Sequence, residues 1–147
     1  MVHTALRLAV FDLDGVVYRG STAVPGAAGV IDALHRSGWA VRYATNNSMY
    51  TRAQFVARLE RLGIAATNDE VVTSVTATID LLRNRLPDVQ RVLAVGEAGM
   101  LTELTEAGLE VTPATEAAGQ DWNGGPLASR HDAVVAGLDQ QIDYRRL

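Results

Sequence analysis

Two aspartates one residue apart, Asp12 and Asp14, close the first apolar run of the chain, Val10-Phe-Asp-Leu-Asp-Gly-Val-Val-Tyr18. Side chains at i and i+2 of an extended segment point to the same side, so the two carboxylates can converge on one cation or one substrate. Held close they repel, and keeping one protonated divides the work between a nucleophile or metal ligand and a proton donor. Hard carboxylate oxygens favour Mg2+ over softer metals. Gly15 lets the chain turn tightly behind the pair and brings backbone N–H groups towards an anion. A second run, Thr45-Asn46-Asn47-Ser48, carries hydroxyl and amide groups suited to phosphate oxygens. Taken singly, the first run also reads as solvated acids in a turn, and the second as a polar turn that caps a helix. Two such runs at the strand ends of one α/β unit point instead to a phosphate site.

The elements that would position these residues are strands and helices taking turns. Leu6 to Phe11 reads as a buried strand, short, apolar and followed at once by polar residues and Gly15. Pro25-Gly26 marks a turn, and Val30, Ile31 and Leu34 give a helical face that Gly38 closes. Trp39 to Ala44 reads as a second strand, and it ends in the Thr45-Asn46 run. Thr51 and Gln54 are spaced as a capping box for a helix whose stripe is Phe55, Leu59 and Leu62, stopping at Gly63.

Thr73-Ser74 caps a further helix through Ile79, Leu82 and Arg85, and Pro87-Asp88 breaks the pattern, which places a domain boundary between 86 and 87. Beyond it, Arg91 to Val95 reads as a strand, Ala98 to Ala107 as a helix and Ala133 to Ala136 as a strand, while Thr112 to Asp132 has no clear period and reads as loop. Alternating strands and helices imply right-handed crossovers and a parallel sheet covered on both faces. In such open sheets the ligand crevice lies outside the carboxyl ends of the strands, where Asp12, Asp14, Thr45 and Asn46 all fall.

Composition narrows the function classes. The 147 residues are 48% hydrophobic and 20% charged, with a net charge of −4. No basic patch or charge run offers a footprint for nucleic acid. Cysteine is absent, so disulfides and thiolate metal sites are excluded. The first apolar stretch is broken by Arg7 and Asp12, so it is neither a signal peptide nor a membrane span, and a cytoplasmic location is the expectation. All 13 basic residues are Arg; there is no Lys. His3, His35 and His131 are dispersed and suit surface duty better than metal binding. Trp39 and Trp122 read as packing residues, and Asp139 reads equally well as a turn residue or as one facing a site.

Phe11-Asp-Leu-Asp-Gly-Val-Val-Tyr18 followed by Tyr43-Ala-Thr-Asn-Asn-Ser48 resembles the first two motifs of the haloacid dehalogenase superfamily, in its p-nitrophenylphosphatase, phosphoglycolate phosphatase and glycerol-3-phosphate phosphatase branch. The resemblance continues through Val72-Thr-Ser74, Val92-Leu-Ala-Val-Gly96 and Val134-Val-Ala-Gly-Leu-Asp139 with Tyr144. It implies a Rossmann-like parallel core over residues 1–86 followed by the first part of an α/β cap domain over 87–147. It implies Mg2+-dependent hydrolysis of a small phosphorylated metabolite, with Asp12 as nucleophile and Asp14 as general acid and base. Both would hold Mg2+, Asp14 by its backbone carbonyl, while Thr45 and Asn46 would bind the phosphate. Association into a homo-oligomer through the cap is a further expectation, and neither nucleic acid nor membrane is expected as a partner.

The same family requires a lysine beside the nucleophile and further acidic metal ligands, which lie beyond the cap in chain order. This chain has no lysine, and Arg is a broad planar fork where a compact ammonium is wanted. It stops at Leu147, just as Asp143-Tyr-Arg-Arg-Leu147 opens what reads as a cap helix. The expectation is therefore the N-terminal part of a longer phosphatase, inactive alone, with open sheet edges and uncovered apolar faces. The alternative expectation is a catalytically incomplete chain that binds only Mg2+, phosphate or a partner polypeptide. A nucleotide-sugar transferase using Asp-x-Asp as a metal clamp is more distant, because too few residues precede the motif to build a nucleoside pocket.

Overall fold

In the computed structural model, residues 7–117 and 131–143 are described. His3, Trp122 and Tyr144 lie outside them. Packing divides the chain into two units, the first formed by residues up to Asn46 together with Arg52–Thr73, the second by Asn47–Thr51 and the chain from Ser74 onward.

The first unit is built on a parallel sheet of three strands, β1 (Leu8–Asp12), β4 (Ala40–Thr45) and β5 (Val71–Thr73), in the order β1-β4-β5. Between β1 and β4 run a two-residue-per-strand hairpin, β2 (Tyr18–Arg19) with β3 (Thr22–Ala23), and helix α1 (Ala27–Arg36); helix α2 (Arg52–Arg61) connects β4 towards β5. The first two strands, both helices and the stops at Gly38 and Gly63 follow the apolar periods, whereas the hairpin and β5 are too short to leave a period in the sequence. One face of the sheet forms the core. Val41, Tyr43 and Val71 pack there with Ile31 of α1, Phe55 and Leu59 of α2, and Ile64. Leu13, Val17 and Tyr18, from the segment after β1, complete this cluster and are fully buried. The ring of Tyr43 sits in this apolar surround, and burial pushes its phenol up to about 12.

The second unit has its own three-stranded parallel sheet, β6 (Arg91–Val95), β7 (Glu110–Pro113) and β8 (Ala133–Ala136), in the order β7-β6-β8. Helix α3 (Ser74–Arg85) packs here. Its Val75, Ile79 and Leu82 share one cluster with Val92, Ala94, Met100, Leu104 and Val135, so the division falls between Thr73 and Ser74 rather than at the Pro87-Asp88 turn. A proline punctuates local structure, while a domain boundary depends on which apolar face finds a partner. Helix α4 (Ala98–Glu106) buries Met100 and Leu104 as its period predicts. The first residues of the expected loop, Thr112 to Ala117, are instead the end of β7 and a single-turn helix, α5 (Ala114–Ala117). Pro113 is compatible with a strand there because, among the described residues, β7 is an edge strand, where a missing N–H costs no ladder bond.

Residues 47–51 pack within the second unit although they sit between two elements of the first. Gly99 N–H donates to the Met49 carbonyl at 3.2 Å, and a Cβ at Gly99 would stand 2.3 Å from that same oxygen. Ser48 Oγ accepts from the Leu138 N–H at 2.8 Å. Asp139 Oδ1 accepts from Gln141 N–H at 2.8 Å, the turn role that its position allowed.

At the base of the second sheet, Asp132 ties the start of β8 to the start of β6. Its Oδ1 accepts from Arg91 Nη2 at 2.8 Å, and its Oδ2 accepts from the Arg91 and Gln90 backbone N–H groups at 2.8 and 3.1 Å. These bonds, led by the Arg91 side chain, hold the Asp132 carboxyl well below the usual carboxylate range. A depressed carboxyl pKa contributes stability above the unfolded pKa of about 4, and that contribution disappears as pH falls through the lower folded value. Asp132→Asn is therefore expected to lower the melting temperature at neutral pH, by an amount that solvent exposure keeps modest. Thermal melts of both proteins should show a constant difference from neutral to mildly acid pH and a narrowing one below about pH 4.

Candidate active site

The register of the first sheet brings the four expected site residues to one edge. Asp12, the last residue of β1, lies opposite Ala44, and Thr45, the last residue of β4, lies opposite Thr73 of β5. Asn46 follows directly. All four, Asp12, Asp14, Thr45 and Asn46, belong to the first unit and stand at the carboxyl ends of adjacent parallel strands. Asp12, Asp14 and Asn46 are exposed, and Thr45 is buried.

The Asp-Leu-Asp spacing has a physical cause in its middle residue. Leu13 is fully buried in the core cluster, so the carboxylates on either side are left in solvent. The Leu13 N–H donates to Asp12 Oδ1 at 2.9 Å, which orients that carboxylate and leaves Oδ2 for other partners. Behind the pair the chain closes on itself. Val17 and Tyr18 N–H groups donate to the Leu13 carbonyl at 3.0 and 3.2 Å, and Gly15 N–H donates to the Tyr18 carbonyl at 2.7 Å. Gly15 has φ +88, a left-handed conformation that a side chain would strain, so the turn that presents Asp14 depends on this glycine.

Two residues that the sequence reading did not single out hold this loop. Tyr18 is fully buried, and burial, reinforced by the negative charge of Asp14, pushes its phenol up to about 12 despite an opposing effect of Arg58. Arg58, on α2, places its guanidinium carbon 4.2 Å from the centre of the Tyr18 ring and donates from Nη2 to the Gly20 carbonyl at the tip of the hairpin. Helix α2 thus grips the segment that follows the two aspartates. Tyr18 lies within the quoted motif, but no sequence signal connects it to a residue forty positions later on the polar side of a helix.

Among the described residues, no group of three or more His, Cys, Asp or Glu side chains is gathered as a metal site. Asp12 and Asp14 nonetheless fit a hard cation. Both are exposed oxygen donors, neither is in an ion pair among the described residues, and Mg2+ keeps several waters while binding one or two carboxylates plus substrate phosphate. His35 takes a structural position instead: its Nε2 is 3.7 Å from Glu70 Oε1, so it is part of the first unit's packing rather than freely solvated.

Comparison with known proteins follows the same edge. Residues 9–110, more than half of the chain, match the family described as haloacid dehalogenase-like hydrolase. The chain is 36% identical over 138 residues to the acid sugar phosphatase of Staphylococcus epidermidis, covering 94% of this chain and 48% of that protein. It superposes on a hypothetical protein of Pyrococcus horikoshii with a TM-score of 0.82 at 29% identity, covering 96% of this chain and 51% of that one. A glycerol phosphate phosphatase of Mycobacterium tuberculosis, solved in complex with magnesium, gives a TM-score of 0.70 at 30% identity, covering 93% and 37%. The chain spans about half the length of the curated relatives it matches. The sheet with its paired carboxylates and the matched residues agree, and the chain belongs to the haloacid dehalogenase-like hydrolase family.

Proposed function

We propose that this chain carries the nucleophile of a phosphatase that hydrolyses a small phosphate monoester through an aspartyl-phosphate on Asp12. The observation that carries the reading is the arrangement at the end of β1: two exposed carboxylates flank the buried Leu13, and the Thr45-Asn46 run ends the adjacent strand. The relatives' names, acid sugar phosphatase and glycerol phosphate phosphatase, favour a phosphorylated sugar or polyol as substrate. A cytoplasmic site of action and self-association through the second unit belong to the same proposal. Among the described residues no helix is long and apolar enough to cross a membrane.

In this reading the free Oδ2 of Asp12 attacks phosphorus, and the bond from phosphorus to the leaving oxygen breaks. Asp14, held one residue past Leu13, gives its proton to that leaving oxygen and then takes one from the water that attacks the acyl phosphate. Inorganic phosphate leaves, and both carboxylates return to their starting states. Thr45 and Asn46 hold phosphate oxygens by hydrogen bonds and so favour the transition state. Asp12, through its carboxylate, and Asp14, through its backbone carbonyl, would also hold Mg2+, which supplies charge neutralisation between carboxylate and phosphate. Arg58 acts at one remove, as a positioning residue. By gripping Tyr18 and the Gly20 carbonyl it fixes the loop whose closing bond, Gly15 N–H to Tyr18 carbonyl, sets where Asp14 points.

A second reading has its own observation. No lysine occurs in the 147 residues, which favours a chain that binds Mg2+ or phosphate without turning a substrate over.

In a preparation that releases phosphate from p-nitrophenyl phosphate, Asp12→Asn is expected to reduce turnover to background, and Asp14→Asn to lower it by about 10²- to 10⁴-fold. Unchanged turnover in the Asp12 variant would remove the assignment. For Arg58, amide hydrogen exchange is the more discriminating measurement. Arg58→Ala should speed exchange at Gly15 while leaving the β4 amides protected, with Arg58→Lys intermediate, and equal acceleration across the sheet would reduce Arg58 to a general stability role.

A further inference from the structure

The polar run that ends β4 changes role along its length. Thr45 ends the strand and Asn46 follows it, but Asn47 Oδ1 accepts from the Met49 N–H at 2.9 Å and turns the chain. Ser48 is 3% exposed, and its Oγ accepts from the Leu138 N–H, 90 residues away, at 2.8 Å. A hydroxyl kept for phosphate would face solvent, whereas this one is buried and taken by a backbone amide. Glycines build the seat around it. A Cβ at Gly137 would stand 2.6 Å from Ser48 Oγ and 3.2 Å from Ser48 Cβ, and one at Gly99 would stand 2.3 Å from the Met49 carbonyl oxygen and 2.6 Å from Tyr50 Cα. Neither glycine has a positive φ, so close approach, not backbone conformation, is what requires them. The Gly137 N–H is fixed by the Val95 carbonyl at 2.8 Å, and the buried Met100 brings its sulfur to 2.8 Å from the same Cβ position.

We infer that Ser48 is a positioning residue for the phosphate site: held by the Leu138 N–H against Gly137, it fixes the path of the backbone that leaves Asn46. The inference rests on the reading of Thr45 and Asn46 as phosphate ligands, and makes their placement depend on Ser48 and Gly137, neither of which touches phosphate. Only Asn47 separates Asn46 from Ser48, and its side chain is tied to the Met49 N–H, so a shift of Ser48 carries directly to Asn46. The bond can be broken from either side. Ser48→Ala takes the acceptor away from the Leu138 N–H. Gly137→Ala puts a methyl where Ser48 Oγ now sits. Once Oγ is gone, the nearest Ser48 atom to that methyl is Cβ at 3.2 Å, which a shift of a few tenths of an ångström accommodates, and the Met100 sulfur is on a flexible side chain that can move aside.

The test is calorimetric titration of the 147-residue chain with inorganic phosphate in the presence of Mg2+, beside the three-bond HN–Hα coupling of Asn46, which reports its φ. Ser48→Ala and Gly137→Ala should each weaken phosphate binding by about three- to tenfold and change that coupling. The double variant should bind no more weakly than the weaker of the two single ones, because both remove the same bond. Asp132→Asn, which lowers stability through the base of the second sheet, should leave both phosphate affinity and the Asn46 coupling unchanged. Circular dichroism checks that each variant keeps its fold, and if Gly137→Ala does not, Ser48→Ala carries the test alone. Losses that add in the double variant, an affinity that follows melting temperature across all variants, or an unchanged Asn46 coupling in Ser48→Ala would each overturn the proposal. If the unaltered chain binds no phosphate, the assignment of Thr45 and Asn46 as phosphate ligands falls, and the coupling alone decides: changed in Ser48→Ala and in Gly137→Ala, it keeps Ser48 as the residue that positions Asn46, and unchanged it removes that role.

Discussion

The pairing of β1 with β4, residue against residue from Leu8 with Ala40 to Asp12 with Ala44, is the constraint on which the rest of the first unit depends. Parallel strands in this register finish together, so whatever ends β1 and whatever ends β4 must share one edge. That single fact turns two separate polar runs into one place. It also requires a crossover connection between the strands, which α1 and the hairpin supply, and alternate residues of each strand go to opposite faces.

From that alternation comes the character of the candidate site. Leu13 is drawn into the core with Val17 and Tyr18, and its neighbours Asp12 and Asp14 are left in water as a consequence. The carboxylates are exposed because the residue between them is not. Their loop is then fixed by short-range backbone bonds and by a long-range grip from Arg58, so its geometry is set by the folded unit and does not wait for a ligand. The same alternation leaves Leu8 and Val10 on the face of Asp12, where both are exposed.

Much of this was legible in the sequence. The apolar run to Phe11, the run from Trp39 to Ala44 and the Phe55-Leu59 stripe predict β1, β4 and α2, and Asp12, Asp14, Thr45 and Asn46 follow as strand-end residues, but β1 is not the buried strand its composition suggests, since Leu8 and Val10 are exposed. The hairpin at Tyr18 to Ala23 and the strand Val71–Thr73 were not legible, being shorter than a period can register. Pro87 misplaced the division because α3 finds its apolar partners in the second sheet, and partners far along the chain leave no local trace. Arg58 was invisible for the same reason: its contacts with Tyr18 and Gly20 are tertiary, and on the helix it reads as one more solvated arginine.

In the proposed reaction Asp12 is the nucleophile that accepts the phosphoryl group. The most direct measurement is peptide mass spectrometry after acid quench of an active preparation incubated with acetyl phosphate and Mg2+. A phosphoryl adduct on the peptide containing Asp12, absent after Asp12→Asn, is the predicted result. An adduct that persists in that variant, or that maps to another residue, would contradict the account.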